Sequence, residues 1–338
     1  MITEQMKYSV GALLYSPALN VKIADAIISS KFDKRYSLCL CLEDTIADDA
    51  VERALGQLEI TFHTLQEAAR VRSLQLPKIF VRARNPEQVG EICRRLAPYG
   101  EILTGLVFPK YSSMTAGKYN QEFLKGMKEL SQPICMMPIL ESADIVDYMT
   151  RWQSLKAIRK AIDDMRDYVL NVRVGGNDFC NIFGIRRHVN ETIYDILPVG
   201  QLLCDILTVF SRDYVVSGPV WEYYAGKGDR WAIGLANELR RDMLNGFVGK
   251  TVIHPAQIRL VNEALAVSTE DYRDAREIMN WNAGKGLLVR GSAASERMNE
   301  VNTHRKWAAK IIMLAEQYGV RDKNIAMDEE ERDILRTR

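Results

Sequence analysis

The chain has 338 residues, 47% of them hydrophobic and 26% charged, a composition able to fill the core of one large α/β domain with an appendage. Forty-five basic and forty-four acidic side chains leave a net charge of +1, so no global field draws the protein to nucleic acid or to an anionic membrane. No apolar run approaches the roughly twenty residues that span a bilayer, residues 1–20 do not read as a signal peptide, and the six cysteines (39, 41, 93, 135, 180 and 204) lack CxxC or CxxH spacing. Buried reduced thiols and a cytoplasmic protein are the expectation.

The first strand-like run, Ser9–Tyr15, leads into a helix that Ser16 is placed to cap. Pro17 suits its first position, and Leu19, Ile23 and Ile27 recur every fourth residue. The second run, Tyr36–Leu42, precedes a helix with Val51, Leu55, Leu58, Phe62 and Leu65 on one face. Further runs follow at Lys78–Arg82, Gly105–Phe108 and Ile134–Leu140. Residues 154–167 read as an additional charged helix before the sixth run, Tyr168–Val174. Tyr214–Val216 and Val248–Ile253 complete eight, and Pro255 opens a helix with Ile258, Val261 and Leu265 on one side. Several runs are apolar almost throughout, as parallel strands covered on both faces must be.

Strand and helix alternating eight times predicts a (β/α)8 barrel over residues 1–267. Residues 268–338 form a C-terminal helical extension, with helices around 269–281 and 303–318 joined by GKGLLVRGSAAS; residues 323–338 read as a solvated helix or a frayed tail. A doubly wound sheet is the rival, but no GxGxxG follows the first strand, where the chain reads LYSPALN.

In a barrel, chemistry gathers where the strands end, because eight loops converge on one mouth. Just past the successive strands stand Glu43 and Asp44, then Arg82 with Asn85, Lys110, Glu141, Asp178, Ser217-Gly218-Pro219 and His254, spaced roughly one βα unit apart. Taken singly, Glu43 and Glu141 read equally well as acids favoured at helix starts, Lys110 as a solvated loop lysine and His254 as structural. Together they make a ring of polar groups arriving in phase. The stretch VRVGGNDFCNIFG (172–184) adds two glycines directly ahead of an acid.

The segments LLYSPALNVKIADA, LCLEDTIADD, VRARN, LVFPK, MPILES, VGGNDF, SGP and GKTVIHPAQIRLVNEA occur in this order over most of residues 8–265. Through them the chain resembles the citrate lyase β-subunit-like group of the HpcH/HpaI aldolase superfamily, which includes malyl- and citramalyl-coenzyme A lyases. The resemblance implies a TIM barrel that binds Mg²⁺ through Glu141 and Asp178, hard oxygen ligands that leave room for water and substrate. It makes Arg82 the contact to substrate and developing enolate, with Glu43 and Asp44 orienting it. Lys110 offsets the carboxylates and stays protonated rather than forming a Schiff base. Gly175 and Gly176 would clear space for substrate beside Asn177 and Pro219; a tight turn is the plainer reason for the glycines.

Related lyases carry an aspartate in a C-terminal MVDAP-like stretch that reaches a neighbouring subunit. This chain has Met298-Asn299-Glu300-Val301-Asn302, making Glu300 the candidate acid/base, unless it only caps a helix or faces solvent. Nearby, His304 and Arg305 are candidates to face a phosphate or carboxylate. After Asp178, Arg186 and Arg187, with His188 beside them, are candidates to clamp a substrate anion, or else pair with loop acids. The implied function is a Mg²⁺-dependent carbon–carbon lyase for a carboxylate-bearing hydroxyacyl substrate, an acyl-coenzyme A thioester being one form, in a homo-oligomer that engages neither nucleic acid nor membrane. A thioester hydrolase of the same family, and a catalytically reduced barrel serving as a binding or assembly subunit, are the alternatives.

Overall fold

The computed structural model describes residues 2–33, 35–72, 74–281, 286–293 and 295–321. It divides into two compact units, Met1–Asn262 and Glu263–Arg338. The first begins with α1 (Glu4–Tyr8), β1 (Ala12–Pro17), α2 (Ile23–Ile28), β2 (Ser37–Cys41), α3 (Val51–Arg72), β3 (Lys78–Arg82), α4 (Gln88–Leu96), β4 (Leu103–Phe108) and α5 (Ala116–Gly126). It continues through β5 (Cys135–Leu140), α6 (Arg151–Asp163), β6 (Val172–Val174), α7 (Gly176–Ile182), α8 (Leu197–Phe210), β7 (Val216–Ser217), α9 (Arg230–Asn245) and β8 (Lys250–Val252). Helix α10 (Ala256–Leu265) crosses the division between the units.

The eight strands lie in the order β7-β6-β5-β4-β3-β2-β1-β8, each parallel to its neighbours. The sheet then closes on itself: the Val248 N–H donates to the Val216 carbonyl at 2.8 Å and the Gly218 N–H to the Gly249 carbonyl at 3.0 Å. Closure leaves no open edge and produces the predicted barrel. Its lumen is filled by Leu13, Cys39, Phe80, Val107, Met137 and Ile139, against which Met6 of α1 and Ile2 also pack. The outer helices bury the faces their periodicity foretells, Leu55, Leu58, Phe62 and Leu65 on α3 among them.

Two expectations change. Ser16 and Pro17 belong to β1, where Pro17 sits opposite Cys41, and α2 starts only at Ile23. Strand pairing overrides the capping signal here, since a proline at a strand end forfeits no needed donor. The Ser16 hydroxyl instead accepts from Asn20 Nδ2 at 3.0 Å. The charged segment 154–167 is not an additional helix but most of α6, the crossover between β5 and β6, which buries Leu155, Ile158 and Ile162 on one face. The added helix is α7, which begins on the second glycine of the pair.

Behind the β7 and β8 ends lies a fully buried ionic cluster. The Lys250 ammonium is 2.9 Å from Glu238 Oε1 and 2.7 Å from Asp242 Oδ2. Asp242 also accepts from the Tyr194 hydroxyl at 2.6 Å, and Glu238 from the Ile193 N–H at 2.8 Å. These bonds tie α9 to the segment that follows α7. Removing one member of such a buried group typically costs about 3–5 kcal/mol, because the others stay desolvated and unpaired.

In the second unit, β9 (Val267–Ser268) pairs in parallel with β12 (Val320–Arg321), and β10 (Val289–Gly291) pairs antiparallel with β11 (Met298–Glu300). Part of the stretch GKGLLVRGSAAS thus forms a strand. Helices α11 (Thr269–Met279) and α12 (Val301–Tyr318) are packed through Ala275, Ile278 and Ala308. The Ser268 hydroxyl caps α11 by accepting from the Asp271 N–H at 3.1 Å. Residues 323–338 lie outside the described residues. All six cysteines are free, and five of them are buried.

Candidate active site

The strand ends surround a cavity of about 490 Å³. On one wall, the loop after β2 carries Glu43 and Asp44. It is held in place by Arg84, whose Nη1 donates to the Leu42 and Ile46 carbonyls at 3.1 and 2.8 Å and whose Nη2 pairs with Asp48. Two residues earlier in the chain, Arg82 turns into the cavity. Its Nε donates to Cys41 Sγ at 3.2 Å, its Nη2 lies 2.9 Å from Glu43 Oε2 and 3.3 Å from Asp44 Oδ2, and its guanidinium sits 5.1 Å from the Tyr15 ring centroid. The Glu43 contact is a close charge approach without hydrogen-bond alignment, leaving Glu43 Oε2 buried and lacking a true donor. Burial opposes the charge on Arg82, but the carboxylates of Glu43 and Glu141 beside it hold the guanidinium firmly protonated.

Lys110 joins this cluster. Its ammonium pairs with Glu43 Oε1 and lies 3.4 Å from Asp44 Oδ1. Burial works against its charge, yet the bond to Glu43 and the charges of Glu43, Asp44 and Glu141 raise its pKa. Such a lysine is a cation, not a nucleophile. Its backbone has a left-handed φ of +48°, unusual for a side-chain-bearing residue. That twist accompanies an N–H aimed at Glu141 Oε1, 2.8 Å away.

Glu141 is 4% exposed at the end of β5. Burial first, and then the charge of Asp178, push its carboxyl up to about 8. Burial also raises Asp178, with Asp44 adding to it and Lys110 opposing it. A buried Glu141 whose charge Asp178 makes more costly is an arrangement a hard cation would relieve. Gly175 shows the space is built for the acid. A Cβ on it would overlap Glu141 Oε2 and come within 2.5 Å of Glu141 Cβ, so only glycine admits the carboxylate there. The donor set is all oxygen, which fits Mg²⁺. No group of three or more His, Cys, Asp or Glu side chains suited to a metal occurs among the described residues, so substrate and water would have to complete the coordination.

The remaining candidates divide. Asn177 and Arg186 line the cavity, Arg186 with its Nε 3.1 Å from Glu222. Gly176 does not open the cavity: a Cβ there would meet Ile193 Cδ1 at 2.5 Å and Pro219 Cβ at 2.7 Å, so Gly176 and Pro219 are packed on one another behind the wall. Arg187 does not join Arg186 in a clamp. It is buried over the Trp221 ring, donates to the Val220 carbonyl and lies 3.6 Å from Glu238. His188 pairs with Glu191, and His254 stacks on Tyr224 with ring centroids 4.7 Å apart. Ser217 is buried, donating to the Val248 carbonyl at 2.9 Å. Glu300 belongs to the second unit, at the N-cap position of α12, where its side chain makes no capping hydrogen bond; its N–H donates to His304 Nδ1 at 3.0 Å.

Sequence reasoning missed Tyr15, Cys41, Arg173 and Thr251, all of which line the cavity. Cys41 and Tyr15 sit inside apolar runs and look like core. Arg173 had a visible signal, a charged residue between two valines in the middle of a strand.

A family model described as C-C_Bond_Lyase of the TIM-barrel fold matches residues 4–320. The chain is 24% identical over 284 residues to the mitochondrial citramalyl-CoA lyases of Rattus norvegicus and Homo sapiens, covering 82% of this chain and 79% and 78% of theirs. Among solved structures, a citrate lyase from Burkholderia xenovorans aligns with a TM-score of 0.68 at 13% identity, covering 93% of each chain. The protein CitE from Mycobacterium tuberculosis, crystallised with magnesium, acetoacetate and coenzyme A, aligns with a TM-score of 0.59 at 20% identity, covering 92% of this chain and 99% of its own. Among the described residues, no helix is long and apolar enough to cross a membrane.

Proposed function

This chain belongs to the carbon–carbon bond lyase family of the TIM-barrel fold, and from that premise we propose that it uses Mg²⁺ to cleave a carboxylate-bearing hydroxyacyl substrate, with an acyl-coenzyme A thioester as one form. The observation that carries the reading is the pair Glu141 and Asp178, given room by Gly175, in a cavity that also holds Arg82. A barrel kept only for assembly has no use for two costly carboxylates facing a buried guanidinium.

In this reading Glu141 and Asp178 hold the cation. When bound, Mg²⁺ supplies Lewis acidity and a template for chelating substrate oxygens. Arg82 directs its donors at the oxygen that gains negative charge as the carbon–carbon bond breaks, and Glu43 and Asp44 fix that orientation before substrate arrives. Lys110 opposes the upward shift of Asp178, and its N–H holds one oxygen of Glu141. Glu300 is our candidate for delivering a proton to the enolate carbon, from a neighbouring copy of the chain. If Glu300→Gln released acyl product at the wild-type rate with unchanged solvent-deuterium content, that assignment would be withdrawn.

Calorimetric titration with Mg²⁺ tests the whole. Wild type is expected to bind the ion, Asp178→Ala at least about tenfold more weakly, with loss of hydroxyacyl thioester cleavage. Equal binding by the two proteins, without turnover of any hydroxyacyl thioester, would leave the assembly reading standing instead.

A further inference from the structure

The same cavity holds a second cation that the mechanism above does not use. Arg173, in the middle of β6, is 1% exposed, yet it lines the cavity with Tyr15, Cys41, Ile139 and Thr251. Its Nη2 donates to Thr251 Oγ1 at 2.8 Å, while Nε and Nη1 have no hydrogen-bond partner. Among the described residues the first unit buries four other cationic side chains, and each has an acid: Arg82 has Glu43 and Asp44, Arg151 has Asp205 at 2.8 Å, Arg187 has Glu238, and Lys250 has Glu238 and Asp242. Arg173 forms no ion pair with any described residue. Its ionisable neighbours Tyr15 and Cys39 cannot serve, since burial pushes both their pKa values up and keeps them neutral. A guanidinium carried out of water without a counter-charge works against folding, and this side chain lies against a space large enough for a ligand.

We propose that Arg173 receives a second carboxylate of the substrate, one that reaches the floor of the cavity while the reacting end of the molecule faces Glu141, Asp178 and Arg82. The inference rests on the proposed lyase reading and narrows its substrate class. A hydroxyacyl thioester with a single free carboxylate leaves Arg173 unpaired. A free hydroxydicarboxylate, or the thioester of a hydroxytricarboxylate, satisfies both ends. The planar fork of an arginine suits a carboxylate, and Nε and Nη1 are donors left without partners.

Malate and lactate are probes that share the 2-hydroxy acid and differ by one carboxylate. Calorimetry of both, in Mg²⁺ and again in EDTA, is expected to show malate binding wild type about tenfold or more tightly than lactate. In Arg173→Met the ratio falls to near one, with lactate affinity unchanged. The unliganded variant melts no lower than wild type, because methionine fills similar volume without a buried charge. Arg173→Gln, which can still bond Thr251, gives the same loss of preference and serves if the methionine variant fails to fold. Equal affinities in wild type, a preference retained in both variants, or no binding of either probe would overturn the proposal. A malate preference that depends on Arg173, alongside Mg²⁺ binding insensitive to Asp178→Ala, would remove the metal reading and leave this one. Normal Mg²⁺ dependence without the preference would do the reverse.

Discussion

Arg82→Lys is expected to lower kcat/KM for cleavage by about 10²–10³, the scale seen when one preorganised donor to a developing oxyanion is lost. Charge alone does not explain the size of the effect, since lysine keeps it. What lysine lacks is the fork: Arg82 reaches Cys41 through Nε and the acids of the β2 loop through Nη2 at once, while its flat face lies over Tyr15. An ammonium can satisfy one of these directions and would swing toward Glu43, away from the substrate. Steady-state kinetics on the purified variant, with a melting curve to confirm folding, are the measurement. A kcat/KM within twofold of wild type would take Arg82 out of the reaction.

The adjacent glycines should respond differently to the same methyl group. Gly175→Ala puts a Cβ into the Glu141 carboxylate, so Mg²⁺ affinity should fall by about 10²-fold, within the range for disturbed metal ligands. Gly176→Ala instead drives a Cβ into Ile193 and Pro219, an overpacking that costs about 1–3 kcal/mol of stability and leaves the ion site intact. Mg²⁺ calorimetry and thermal melting on both variants separate the two roles. If Gly176→Ala lost the metal and Gly175→Ala only stability, the assignment of the glycines would have to be exchanged.

The barrel was readable in the chain because its signals are regular: eight apolar runs, one helical face after each, and polar residues in phase at the strand ends. Ring membership was equally readable for Glu43, Arg82, Lys110, Glu141 and Asp178, whose place follows from strand number. The role of each glycine was not, because a missing Cβ says that something comes close without saying what. The Arg186-Arg187 pair stayed open between a clamp and pairing with acids for a related reason. Adjacent side chains diverge, and Trp221 and Glu238, which claim Arg187, arrive from distant parts of the sequence. Ser16 and Pro17 spelled a helix start, but the ladder with β2 was the stronger bond. Arg173 was passed over because a lone arginine in an apolar strand acquires meaning only when every neighbour that might neutralise it has been located.

Arg84 has a bearing on how this protein can be altered. By bracing the Leu42 and Ile46 carbonyls from two positions beyond Arg82, it welds the tip of β3 and the acidic loop into a single cassette. Shifting one part drags the other, so remodelling that side should cost turnover before it changes selectivity. On the opposite lip Gln257 holds the backbone, donating to the Trp221 and Tyr223 carbonyls at 3.0 and 2.9 Å, while the side chain of Arg186 meets Glu222 at the solvent boundary. Swapping side chains there is the natural route to retuning which molecules the barrel admits.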